Sequence, residues 1–152
     1  MRSRRAIGAS RETARQAVRR RTAPALAALL TVAAGLSVRS VLDGAAGKYA
    51  GDTLYALLIF WLVLVVAPHT RRPVAAAVAL AMSTAVELFQ LTGVPAALGA
   101  HSALARLVLG TTFNAPDLPF YAVGAALGWV LAAAAGALAR ARAVRLTEHA
   151  GR

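Results

Sequence analysis

Glu87 lies within a predominantly apolar run, residues 74–92, with Ser83 one turn before it and Gln90 three positions after it. At 1.5 Å rise per residue, Glu87 is about 20 Å along such a helix. The i, i+4, i+7 spacing puts the three on one face, with small residues Ala76 and Ala79 continuing it. An ionisable group at that depth needs a partner, and marks a ligand, ion or proton site more readily than a packing position.

Stripes of the same kind recur elsewhere. Asp117, Tyr121, Gly124 and Gly128 recur at helical spacing, as do Asp52, Tyr55 and Ile59, and Ala28, Thr31, Gly35 and Arg39. Each stripe is small or apolar towards one end and polar towards the other. Gly124 and Gly128 form a small-xxx-small pair suited to close helix approach, and Gly35 is a third packing candidate. The charged candidates at the polar end are Arg39 and Arg106 against Asp52, Glu87 and Asp117. Two arginines would suit a lipid phosphate. Each residue also has a purely structural use: Asp117 as the N-cap of the last helix, Arg39 and Asp52 as interfacial anchors or a pair.

Recognisable catalytic chemistry is missing. The sequence has no HExxH, GxSxG or P-loop, and its serines have no evident histidine base. With no cysteine there is no thiolate catalysis, disulfide or Cys-type metal site. His101 has no second histidine near it and reads as a loop residue, so no metal and no cofactor is expected.

The elements that must position these groups follow from the apolar runs. Of 152 residues, 59% are hydrophobic, and the mean hydropathy is +0.60, yet the formal charge is +11. The charges collect at the ends and in short connections. A span needs about 20 apolar residues, and runs at about 23–39, 50–67, 74–92 and 118–138 supply four. The expected fold is therefore all-α: a polytopic bundle of four transmembrane helices, with a short outer or re-entrant helix at 101–109 between the third and fourth. The membrane domain takes residues 22–139. Residues 1–21 form a basic arm, disordered or lying on anionic headgroups, and 140–152 a basic tail. The first run is expected to stay as a span rather than act as a cleaved leader, because its basic front is long and Arg39 follows it directly.

Orientation follows from counting basic residues. Eight arginines precede the first run, Arg71 and Arg72 separate the second and third, and Arg140, Arg142, Arg145 and Arg152 follow the fourth, against Arg39, Lys48 and Arg106 on the other side. The positive-inside rule puts both termini in the cytoplasm of a bacterial inner membrane. It also explains the basic excess without a nucleic-acid partner.

Five motifs occur in order: Gly35-Leu36-x-x-Arg39, Gly51-Asp52-x-Leu54-Tyr55-Ala56, Glu87-x-x-Gln90-Leu91, Leu107-Val108-Leu109-Gly110-x-x-Phe113 and Asp117-Leu118-x-x-Tyr121-x-x-Gly124. Together they resemble the bacterial membrane family called domain of unknown function 2809, over about residues 35–128, with Tyr55 where that family's pattern has tryptophan. A more distant resemblance is to VanZ-like proteins, which place Glu-x-x-Gln before an Arg and an Asp leading into a final Gly-rich span; here Arg106 and Asp117 are further apart. That second resemblance implies envelope lipid or cell-wall chemistry.

The leading expectation is a non-enzymatic envelope protein that binds a lipid headgroup or small polar ligand in an outward-facing cluster. Glu87 and Gln90 would make the central contacts, with Arg39, Arg106, Asp52, Asp117 and Tyr121 around them. The partners are membrane lipids, a lipid-linked or small polar ligand, and a second copy if the bundle oligomerises. The alternatives are a small proton-coupled transporter using Glu87, an intramembrane enzyme on a lipid-linked substrate, and a polar network that only fixes packing.

Overall fold

The computed structural model describes the backbone of residues 2–150 and the side chains of residues 20–147. Its helices are α1 (Arg2–Val41), α2 (Gly44–Val66), α3 (Arg72–Gln90), α4 (Val94–His101), α5 (Ala103–Leu109) and α6 (Leu118–Ala150), with a 3-10 turn at Ala115–Asp117 before α6. Four segments are long and apolar enough to cross a bilayer: Arg20–Val41 of α1, α2, α3, and Ala115–Thr147. The chain is an all-α, four-span membrane protein, with no strand among the described residues.

Two boundaries differ from the sequence expectation in ways that matter. The α2 span begins at Gly44, six positions earlier than the apolar run, because only Leu42 and Asp43 separate it from α1. Gly44 makes that turn at φ +67°, a left-handed conformation costly for any residue with a Cβ. The early start brings Lys48 into the helix. At the N-terminus, α1 is helical from Arg2, so the arm's backbone continues the first span; its side chains up to residue 19 lie outside the described residues.

In lipid, apolar side chains gain little by leaving the bilayer for each other, so close backbone approach and dispersion must hold the helices together. The packing reflects this. The central helix, α2, packs against α1, α3 and α6, and α3 also packs against α6. Gly124 of α6 meets the Thr53 carbonyl and the Ala56 Cβ, and Gly128 lies on the Phe60 ring, so a Cβ at Gly128 would stand 2.6 Å from ring carbons. Ala75, Ala79, Ala125 and Ala132 fill the rest of the seam with Leu57, Ile59, Phe60 and Trp61. Gly35 differs from the expectation: no atom of another helix lies within 4 Å of its Cβ position, so no close helix approach depends on glycine there. Large residues such as Leu26, Leu29, Leu30 and Leu36 point away from the protein, as lipid-facing positions should.

The segment between the third and fourth spans is two short helices rather than the single helix expected. At eight and seven residues neither can cross a bilayer. Ser102 divides them, and its hydroxyl accepts from the Ala105 amide to cap α5. Val94, Leu98, Leu104, Leu107 and Val108 on this hairpin are all exposed.

Contacts between helix ends define the two ends of the bundle. The start of α2, the end of α3 and the start of α6 meet at one end, which we call the far end. At the other, Arg72 at the start of α3 lies against Gly136 of α6, and Arg21 of α1 lies beside the α2–α3 connection. This second, terminal end leads into both chain termini.

Candidate functional site

The far end holds a continuous polar network. Glu87 is its deepest member, 1% exposed and one turn from the end of α3. Both carboxyl oxygens accept hydrogen bonds: Oε1 from the Asn114 backbone N–H, and Oε2 from the Tyr121 hydroxyl at 2.9 Å. Tyr121 itself is buried in the first turns of α6, with its ring 6.4 Å from that of Tyr55. Glu87 thus ties α3 both to α6 and to the loop preceding it.

Asn114 passes the network on. Its side-chain amide donates to Asp117 Oδ1 at 2.5 Å, and the same oxygen is ion-paired with Lys48. Lys48 also holds Asp52, one turn further along α2, at 3.3 Å. Asp117 is therefore a bridge between the 3-10 turn and α2: the bonds its side chain makes go to Asn114 and Lys48, not to the first amides of α6. Above Lys48, the Tyr49 and Phe120 rings stack with centroids 4.2 Å apart. The Lys48 side chain is 45% exposed and that of Asp52 20%, so the network runs from a buried core at Glu87 to an open mouth at Lys48.

Gln90 makes a separate latch. Its Nε2 donates to the Leu109 carbonyl at 2.8 Å, holding the end of α5 against the end of α3. Gly110 allows the approach. Its φ is +65°, and a Cβ there would meet the Gln90 amide at 2.5 Å. Two polar atoms on this buried face have no protein partner: Gln90 Oε1 and Ser83 Oγ. Ser83 is completely buried. Such groups cost about 1–3 kcal/mol each when unsatisfied.

Of the residues expected to form the site, the structure joins Glu87, Asp117, Asp52 and Tyr121 in one network and places Gln90 on the same buried face of α3. It does not bring in the two arginines. Arg39 and Arg106 are exposed and have no ion pair among the described residues. The cation is Lys48, which stands just ahead of the expected second span and counts there only towards orientation. The i, i+4 spacing of Lys48 and Asp52 is the signal that could have found it. Asn114 was missed because its key contribution is a backbone N–H, which no side-chain pattern announces. His101 ends α4 and is exposed, and no grouping of three potential metal ligands occurs among the described residues.

No curated protein and no solved structure matched this sequence in comparison. A family profile did, over residues 41–125, more than half of the chain and the part that carries the network from Lys48 to Tyr121. The chain belongs to the family described as "Protein of unknown function (DUF2809)".

Proposed function

We propose that the far-end network is a binding site for the positively charged group of a polar ligand, an ammonium-bearing lipid headgroup or small amine, and that the protein acts by binding rather than catalysis. The observation that carries this reading is the charge inventory. The network holds three carboxyl groups, those of Glu87, Asp52 and Asp117, and one ammonium, Lys48, which pairs with Asp52 and Asp117. At the edge of a low-dielectric region uncompensated negative charge is costly, and a ligand cation relieves it. The unfilled acceptors Ser83 Oγ and Gln90 Oε1 add places for a donor-rich group. Because Arg39 and Arg106 stand apart from the network, a phosphate is a poorer match here than the sequence suggested.

Within this reading the residues divide the work. Glu87 has both oxygens committed and sets the position of Asn114 and Tyr121. Asp52 is the acid nearest the mouth with one carboxyl oxygen unengaged, and it makes first contact. The basic residues at the terminal end support a bacterial inner-membrane protein with both termini cytoplasmic, so the mouth opens towards the outer leaflet.

Titration of the purified protein with short-chain phosphatidylethanolamine and with its N-acetyl form tests the proposal, since the two share a phosphate and differ in the ammonium. The expected result is preference for the free amine, weakened at least tenfold by Asp52→Asn. Equal binding of both lipids, unchanged by Asp52→Asn, sinks the proposal.

The same charge excess also suits a second reading, a proton-coupled transporter in which Glu87 takes up the missing positive charge as a proton. That reading requires pH-driven flux in proteoliposomes that Glu87→Gln abolishes.

A further inference from the structure

The terminal end carries a feature that the far-end network does not use. Between Arg21 of α1 and the α2–α3 connection lies a groove of about 520 Å³. It is lined by Val66, Ala67 and Pro68 at the end of the α2 span and by Arg21, His69 and Thr70. The change from hydrocarbon-like to hydrogen-bonding surface therefore takes place within a few residues, at the level where the α2 span ends.

Arg21 has no ion pair among the described residues. The four acidic residues whose side chains are described, Asp43, Asp52, Glu87 and Asp117, all lie at the far end. Neither His69 nor Thr70 has a side-chain partner among the described residues. Arg71 is exposed beside them, and the α3 helix begins at Arg72 with its first amides turned towards this end. The groove thus gathers a guanidinium, an imidazole and a hydroxyl from two separate elements, none with a side-chain partner among the described residues.

We propose that this groove binds the phosphate of an anionic phospholipid. Arg21 pairs with the phosphate oxygens in the forked geometry guanidinium favours. His69 and Thr70 complete the shell as donors. The glycerol and the first acyl carbons lie on Val66, Ala67 and Pro68, which a free phosphate would leave uncovered. Basic pockets among spans at a cytoplasmic surface commonly take such headgroups. The bound lipid clamps α1 to the α2–α3 connection. This clamp matters because α1 packs mainly against α2 and carries much of its apolar surface outward. The inference is independent of what the far end binds.

The test is the thermal stability of the full chain in detergent with added phosphatidylglycerol, phosphatidylcholine or sodium phosphate. A ligand at free concentration c that binds only the folded state stabilises it by RT ln(1 + c/Kd), so the midpoint rises with the logarithm of ligand concentration above Kd. The expected result is a rise of several degrees with phosphatidylglycerol alone. Arg21→Ala with His69→Ala should abolish the rise, Thr70→Val should reduce it, and Arg142→Ala at the same end should leave it intact. Thr70→Val keeps the test valid if the double variant does not fold. An equal rise in Thr70→Val and wild type, or in the double variant and wild type, overturns the proposal. So does a loss of the rise in Arg142→Ala, which would mean a diffuse basic surface. A rise reproduced by sodium phosphate would assign the groove to the free anion and overturn the lipid.

Discussion

The far end of the bundle draws two of its carboxyl groups inward, while the terminal end leaves most of its arginines on the surface. At the far end Asp117 and Glu87 are buried and bonded, and Lys48 and Asp52 form the rim. At the terminal end Arg20, Arg21, Arg71, Arg140, Arg142 and Arg145 are exposed. The difference follows from cost. A charge at the surface of a bilayer keeps water or headgroups as partners, whereas one among the spans must find partners in the protein. The terminal end can therefore be basic for orientation alone, but the far end needs a specific arrangement of donors and acceptors. Specific arrangements are where ligands are recognised, which is why the network and not the basic surface as a whole carries the main functional proposal.

The seam between the two ends offers the harshest way to break this contrast. Gly124→Leu drives a side chain into the Thr53 carbonyl and Ala56. Overpacking of this kind costs about 1–3 kcal/mol or more. The expected outcome is loss of the monodisperse folded peak in size-exclusion chromatography, with both ends lost together.

Glu87→Ala attacks the far end alone. It orphans the Asn114 N–H and the Tyr121 hydroxyl and leaves a cavity, for a loss of about 3 kcal/mol in unfolding free energy. Glu87→Gln should be far milder, near 1 kcal/mol. Its amide oxygen can accept from Asn114, and its NH2 can donate to a rotated Tyr121 hydroxyl. A wide gap between the two substitutions in denaturant-midpoint measurements would show that Glu87 matters to the fold through its hydrogen bonds more than through its charge.

Gln90→Ala is a smaller perturbation that sharpens the picture of the hairpin. It releases the Leu109 carbonyl, the Gln90 side chain's bond to α5. Hydrogen exchange should rise about fivefold to tenfold across 103–110, corresponding to about 1 kcal/mol, while α2 and α6 stay protected. Smallest of all is Arg39→Ala. An exposed arginine without an ion pair among the described residues should leave both the midpoint and ligand occupancy within experimental error.

Much of this architecture is legible in the sequence, for physical reasons that also mark where the reading stops. Spans are visible because every backbone group in hydrocarbon must bond within its own helix, which forces long apolar runs. Ser83, Glu87 and Gln90 share a face because helical periodicity leaves no choice. Gly124 and Gly128 announce close packing by their four-residue spacing. Lys48 was hidden because the apolar run of the second span starts after it, although the helix already begins at Gly44, which makes the turn. Arg39 and Arg106 misled because charge balance says nothing about direction: Arg39 lies on the exposed side of α1, and Arg106 on the exposed side of α5. The Asn114 amide reaches Glu87 across 27 residues of sequence, a pairing set by how the hairpin folds back rather than by any periodicity.

Native mass spectrometry of the detergent-purified protein, comparing wild type, Glu87→Gln, Asp52→Asn and Arg39→Ala, tests the far-end site most directly. A single amine-bearing adduct kept by wild type and Arg39→Ala but lost from Asp52→Asn and Glu87→Gln is the expected result. Ligand-free spectra from all four folded proteins, or one adduct retained by all of them, would contradict it and leave the network as a device for packing helices.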